Sequence, residues 1–286
     1  MNKNSLAWGL LTIMALLSVA TSVSSAEDAA EAQSVAEPQA EAAEAETLRE
    51  PGDDVSDQEA LYMYFDPKTG ETRPPKIPAP EGAKPLPKPD VVWVDMKNKQ
   101  VYVDGYVSLR EGMLEMLACP VGTKEHESVV AVFSRAKTLH AALLAVGAEV
   151  GHTASFRPKF RAPAGSEIEI EIRWPDKEGK WHSTKAQDWV KDTRTGKPMT
   201  YPWVFAGSGF WQDEETGKEY YKAESGDLIC VSNFSTAMLD IPVESSQVND
   251  GLMFEANTEN IPRLGTPVRV VLTPKPKSAK SEQKEP

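Results

Sequence analysis

The sequence predicts an α+β fold: a single domain with a mostly antiparallel sheet and at least one packed helix, at about residues 134–147. Three observations carry this. Ile168, Ile170 and Ile172 alternate with Glu167, Glu169, Glu171 and Arg173. That is the period of a strand with one buried and one wet face, as in antiparallel sheets. Residues 129–133 form an unbroken apolar, β-branched run, the pattern of a fully buried strand. Ala136, Leu139, His140, Leu143 and Val146 instead recur at helical spacing, with Ser134 as the candidate cap and Gly147 as the terminator.

The chain opens with Lys3, an apolar run over residues 6–20, and Ser24-Ser25-Ala26. This is the pattern of a secretory signal peptide cleaved after Ala26. The run is short for a spanning helix of about 20 residues, so a retained anchor is the weaker alternative. Localisation is therefore expected to be extracytoplasmic, periplasmic or secreted. No later segment is apolar enough to span a bilayer.

Residues 27–60 contain 12 acids and one base, whereas 61–286 contain 31 acids and 29 bases. Nearly all of the net charge of −12 thus sits in one Ala/Glu/Ser-rich block, expected to be a disordered spacer. The near-neutral remainder lacks the basic stripe that nucleic acid requires. It also shows no basic patch for an anionic membrane.

Residues 61–72 read as a small hairpin around Asp66-Pro-Lys-Thr-Gly70, and 73–89 as a proline-rich linker. The main domain is expected over 90–274. Its strands are read at 91–94, 101–103, 106–109, 113–118, 129–133, 168–173, 203–206, 228–231 and 268–272, with a turn or bulge at Asp104-Gly105. A disordered tail follows at 275–286. Asp-x-x-Thr-Gly recurs at 66–70, 192–196 and 213–217. Asp opening and Gly closing a turn makes each of these a hairpin loop rather than a calcium site.

The densest chemical cluster is Cys119-Pro-Val-Gly-Thr-Lys-Glu-His-Glu127. Its candidate metal ligands are His126, Glu125 and Glu127, with His140 and His152 further on. The competing reading is a charged turn in which Lys124 and Glu127 pair, with His140 a core histidine. Cys119 and Cys230 are either a disulfide or two buried thiols. Ser208 lies between glycines but lacks the helix of a nucleophile elbow. Trp203, Phe210, Trp211, Tyr220 and Tyr221 are candidates for an aromatic binding face, or core packing.

Four strings occur in order: Gly122-Thr-Lys-Glu-His-Glu-Ser128, Leu139-His-Ala-Ala-Leu-Leu144 with Gly147, Val204-Phe-Ala-Gly-Ser208, and Thr266-Pro-Val268. Over residues 91–273 the chain resembles the bacterial YdjY-domain family, common among exported planctomycete proteins. The resemblance implies a domain and not a reaction, since the family has no assigned activity. Some relatives are described as ferredoxin-like, with cysteine clusters. Two cysteines here fall short of the four or so that one iron–sulfur cluster needs, so none is expected.

The expected function is an exported, non-catalytic binding or cell-envelope-associated module with an envelope or extracellular ligand and no cofactor. The alternative is a metal-dependent hydrolase using one divalent ion and a His/Glu site around His126.

Overall fold

A computed structural model describes residues 48–245 and 251–276. The signal-peptide segment, most of the acidic block and residues 277–286 lie outside the described residues.

The α+β expectation gives way to a mostly β fold built on a closed barrel. Its eight strands are β1 (Gln100–Val107), β2 (Met116–Pro120), β3 (Ser128–Val132), β4 (Glu167–Pro175), β5 (Trp203–Phe205), β6 (Ile229–Cys230), β7 (Leu239–Asp240) and β8 (Pro267–Pro274). Around the barrel they run β1–β3–β2–β6–β7–β5–β4–β8, and β8 returns to β1. The pairs β2–β3 and β6–β7 are parallel, and the other six are antiparallel. Closure removes the exposed edges that an open sheet leaves.

The two halves of the barrel repeat one connection. In each, the chain leaves a strand (β1 or β5), skips a place to the next (β2 or β6), then returns to fill the gap in parallel (β3 or β7). The halves meet antiparallel at β2–β6, where Ile229 pairs with Ala118. The crossing segments 121–127 and 231–238 carry much of the polar chemistry described below.

Burial follows from closure. In β4, Ile168, Ile170 and Ile172 point inward while Glu169 is exposed. Every residue of β2 and β3 is buried, because both of their faces are covered. Gly105 lies inside the continuous strand β1 rather than in a turn. A Cβ there would meet the Ala131 carbonyl oxygen at 2.2 Å, so glycine is what lets β1 and β3 approach. Outward on β1, Asp104 pairs with Arg269 of β8 at 2.7 and 2.9 Å, and Arg269 stacks on Trp93.

Two α-helices occur among the described residues: α1 (Asp57–Tyr62) and α2 (Ala136–Ala145). Leu139 and Leu143 of α2 pack into the main core. This single ten-residue helix is an attachment to the barrel rather than a helical layer. Its N-terminus is not capped by Ser134, whose hydroxyl donates to the Arg135 carbonyl. Instead the amides of Ala136 and Lys137 donate to the Glu224 carboxylate at 2.9 and 3.0 Å. Asp90 accepts from the Arg135 amide and the Thr138 hydroxyl and pairs with the Arg135 guanidinium.

Residues 48–89 pack on the barrel, although the sequence reads them as spacer, hairpin and linker. Ser56 and Glu59 form a reciprocal capping box that starts α1, which takes in Leu61 and Tyr62. The hairpin is correspondingly narrower: Phe65–Asp66 pairs with Glu71–Thr72. Leu61, Tyr64 and Phe65 cover Tyr106 and Phe133. Arg263 donates to carbonyls of Pro51, Gly52 and Val55. In the proline-rich stretch, Lys84–Pro85 adds a strand to Val92–Asp95. All three Asp-x-x-Thr-Gly segments are hairpin loops, and Gly70, Gly196 and Gly217 adopt φ of 67–70°.

Candidate functional site

The crossing segment between β2 and β3 turns at Gly122 and ends in a short 3-10 turn, Glu125–Glu127. The turn sends consecutive side chains to different places. Lys124 points inward, and its Nζ lies 3.1 Å from Asp227, 3.3 Å from Glu127 and 3.4 Å from Glu115. It also sits 4.7 Å from the Phe234 ring centroid, on the second crossing segment. Burial disfavours the ammonium, but the three carboxylates outweigh it and hold the lysine pKa above its usual value. Glu115 is shifted upward by burial and by the like charge of Glu127. Lys124 therefore ties the two crossing segments together, and the charged-turn reading describes its pairing with Glu127. Gly226, at φ 126°, leaves room for the lysine stem, since a Cβ there would lie 2.6 Å from it.

A polar chain continues from this cluster. The Thr236 hydroxyl donates to Asp227, and Ser208 Oγ donates to the Thr236 carbonyl at 2.6 Å. Ser208 adopts φ 53°, unusual for a residue with a side chain. The Tyr221 hydroxyl reaches the Gly207 carbonyl at 3.1 Å and His140 Nδ1 at 2.8 Å. His140 also meets Phe205 edge to face, with centroids 4.9 Å apart. Burial lowers its pKa, which favours the neutral ring. His140 thus fixes α2 against β5 and Tyr221. The Ser208 hydroxyl is committed to a carbonyl, so the base that would make it a nucleophile is not in place.

The five metal candidates are dispersed. His126 is 77 % exposed in its side chain and lies 3.9 Å from Glu127. Glu125 accepts from the Gly122 amide. His140 sits on α2, and His152 lies on the short strand Val150–His152, beside its neighbour's carbonyl at 3.2 Å. Among the described residues no group of three or more His, Cys, Asp or Glu side chains is placed to hold a metal ion.

The two cysteines are free thiols and fully buried. Cys230 sits opposite Met116 on the neighbouring strand. Cys119 is three residues beyond Met116, so the pleat turns it to the other face. Burial pushes its thiol up to about 12.

The aromatic candidates split between core and surface. Trp203 is buried and donates its indole N–H to the Cys230 carbonyl at 2.8 Å, and Tyr221 is buried too. Phe210, Trp211 and Tyr220 are exposed on the hairpin Phe210–Gln212/Glu219–Tyr221. Trp211 and Tyr220 stack across its strands, 4.9 Å apart and 16° from parallel.

Sequence reasoning missed a cleft of about 600 Å³ where α1 and the first hairpin meet the barrel. Leu61, Tyr62, Phe65, Tyr106, Leu109 and Leu264 supply apolar walls, while Asp57, Arg110, Glu111, Glu125 and His126 supply polar groups. The Arg110 guanidinium is engaged by the carbonyls of Ile261 and Thr258 at 3.0 and 3.2 Å. Three carboxylates against one guanidinium leave the polar groups acidic on balance, with Asp57 3.8 Å from Arg263 and Glu125 accepting from the Gly122 amide. Two of the proposed metal ligands, Glu125 and His126, belong to this cleft instead. The Ser56-x-x-Glu59 capping box ahead of an apolar run was the signal that could have exposed its N-terminal wall.

Fold and site together define a β-barrel domain with a lateral, mostly apolar cleft. The YdjY-domain family model matches residues 92–273, and the chain belongs to that family. No curated protein and no solved structure matches the chain. The cleft is composite: Tyr106, Glu125, His126 and Leu264 fall within the matched span, whereas Asp57, Leu61, Tyr62 and Phe65 precede it.

Proposed function

We propose that this YdjY domain is a non-catalytic binding module whose ligand occupies the cleft beneath α1. The observation that carries the reading is the cleft itself: about 600 Å³, apolar in its walls and acidic in its polar groups. That volume suits a small molecule or a few residues of peptide. Apolar walls favour a ligand with an aromatic or aliphatic body. Asp57, Glu111 and Glu125 favour an amine or another hydrogen-bond donor at its polar end, beside His126. The polar chain from Lys124 to His140 serves here as a structural brace for the two crossing segments.

Ligand-observed NMR tests the reading with paired fragments that differ only in carrying an amine or a carboxylate. Amine-bearing aromatic fragments are expected to bind the wild type at least fivefold better than their acid partners. Leu109→Trp, which fills the cleft, should abolish that binding. Equal response to both fragment classes, or binding unchanged in Leu109→Trp, would overturn the proposal.

A further inference from the structure

We propose that the loop following Val150–His152 is a docking finger for anionic lipid bilayers, distinct from the cleft. The strand Val150–His152 pairs with Ala164–Gly165 and projects residues 153–163 between them. The finger is ordered by its own backbone. The Ser155 amide donates to the Arg161 carbonyl at 3.1 Å and the Arg161 amide to the Ser155 carbonyl at 2.9 Å. These bonds close a tip of Phe156-Arg157-Pro158-Lys159-Phe160.

Phe156 and Phe160 face each other across the tip with ring centroids 5.9 Å apart. Phe156 is 46 % exposed, and Arg157, Lys159 and Arg161 are exposed around it. Residues 150–166 contain no acid. Among the described residues no carboxylate pairs with these three cations. This is a local concentration of positive charge on a chain of net charge −12, and whole-chain arithmetic conceals it.

One exposed phenyl ring, Phe156, backed by the half-buried Phe160 and flanked by cations that no described carboxylate pairs, matches the bilayer interface, where rings enter the acyl boundary and cations meet phosphate headgroups. A soluble polyanion offers the second contact without the first. Each cation near an anionic leaflet is worth about fivefold in affinity, so three together supply on the order of a hundredfold.

The test is cosedimentation of the protein, recovered after export, with vesicles of phosphatidylcholine alone or with 30 mol % phosphatidylglycerol added, at about 50 and 300 mM salt. Binding is expected to the anionic vesicles only and to weaken with salt. R157E/K159E/R161E should lower it at least fiftyfold. F156S/F160S, with all three charges kept, should lower it about tenfold. Unchanged melting temperatures would show that both variants remain folded. Binding of the charge variant within threefold of wild type would overturn the proposal. So would loss-free F156S/F160S combined with equally tight binding to polygalacturonate, which would mark a polyanion site instead.

Discussion

Asp240 is the buried carboxyl most exposed to a change of pH, although no solvent reaches it. Its Oδ1 accepts from Asn233 at 3.0 Å and from the Ile241 amide at 2.8 Å, whereas Oδ2 has no hydrogen-bond partner. Burial raises its pKa to about 8. The folded state therefore holds a proton that the unfolded chain releases near pH 4. Above that pH the native state binds more protons than the unfolded state, so this residue costs stability as pH rises from about 4 to about 8. The cost grows by on the order of 1.4 kcal/mol for each unit of pH across that window. Asp240→Asn keeps the Oδ1 acceptor and cannot ionise. Its melting temperature relative to wild type should therefore climb steadily between pH 4 and pH 8. Differential scanning fluorimetry over that range would show the trend, and a constant offset would contradict it.

At the scale of elements, the capping of α2 shows what a sequence conceals. Helical spacing located α2, but the group that caps it stands 88 residues away, at Glu224. Glu224→Ala should cost about 1 kcal/mol in urea unfolding, and Ser134→Ala markedly less. The reverse order would restore the local cap. Strand positions were legible where side chains alternate or run apolar, as in β3, β4 and β8, whereas Asp104-Gly105 divided β1 into two in the sequence reading. The barrel was not. It depends on strands as short as Ile229–Cys230 and Leu239–Asp240, too brief to show a period, and on parallel returns across short crossings. Such returns ordinarily need a much longer connection, so a reader of the sequence assigns antiparallel pairing instead. The candidate site was legible in fragments. The cluster around His126 lies on a functional-looking turn, but the sequence reading divides α1 between a disordered acidic block ending at residue 60 and a hairpin starting at 61, and the cleft wall it forms goes unseen.

At the scale of the whole molecule, the barrel separates three chemistries. Lys124 and its carboxylates brace the crossing segments, the cleft beneath α1 offers an apolar and acidic recess, and the 153–163 finger carries phenyl rings and exposed cations. The cleft's wall joins Tyr106 and His126, inside the family's matched span, to Asp57, Leu61 and Phe65, which precede it. Ligand binding in the cleft is tested most directly by titrating ¹⁵N-labelled protein with an amine-bearing aromatic fragment and following amide chemical shifts. Saturable shifts are expected, confined to Leu61, Tyr62, Tyr106, Leu109, His126 and their neighbours. Shifts centred instead on the Trp211–Tyr220 hairpin, or none at all at millimolar fragment, would contradict it.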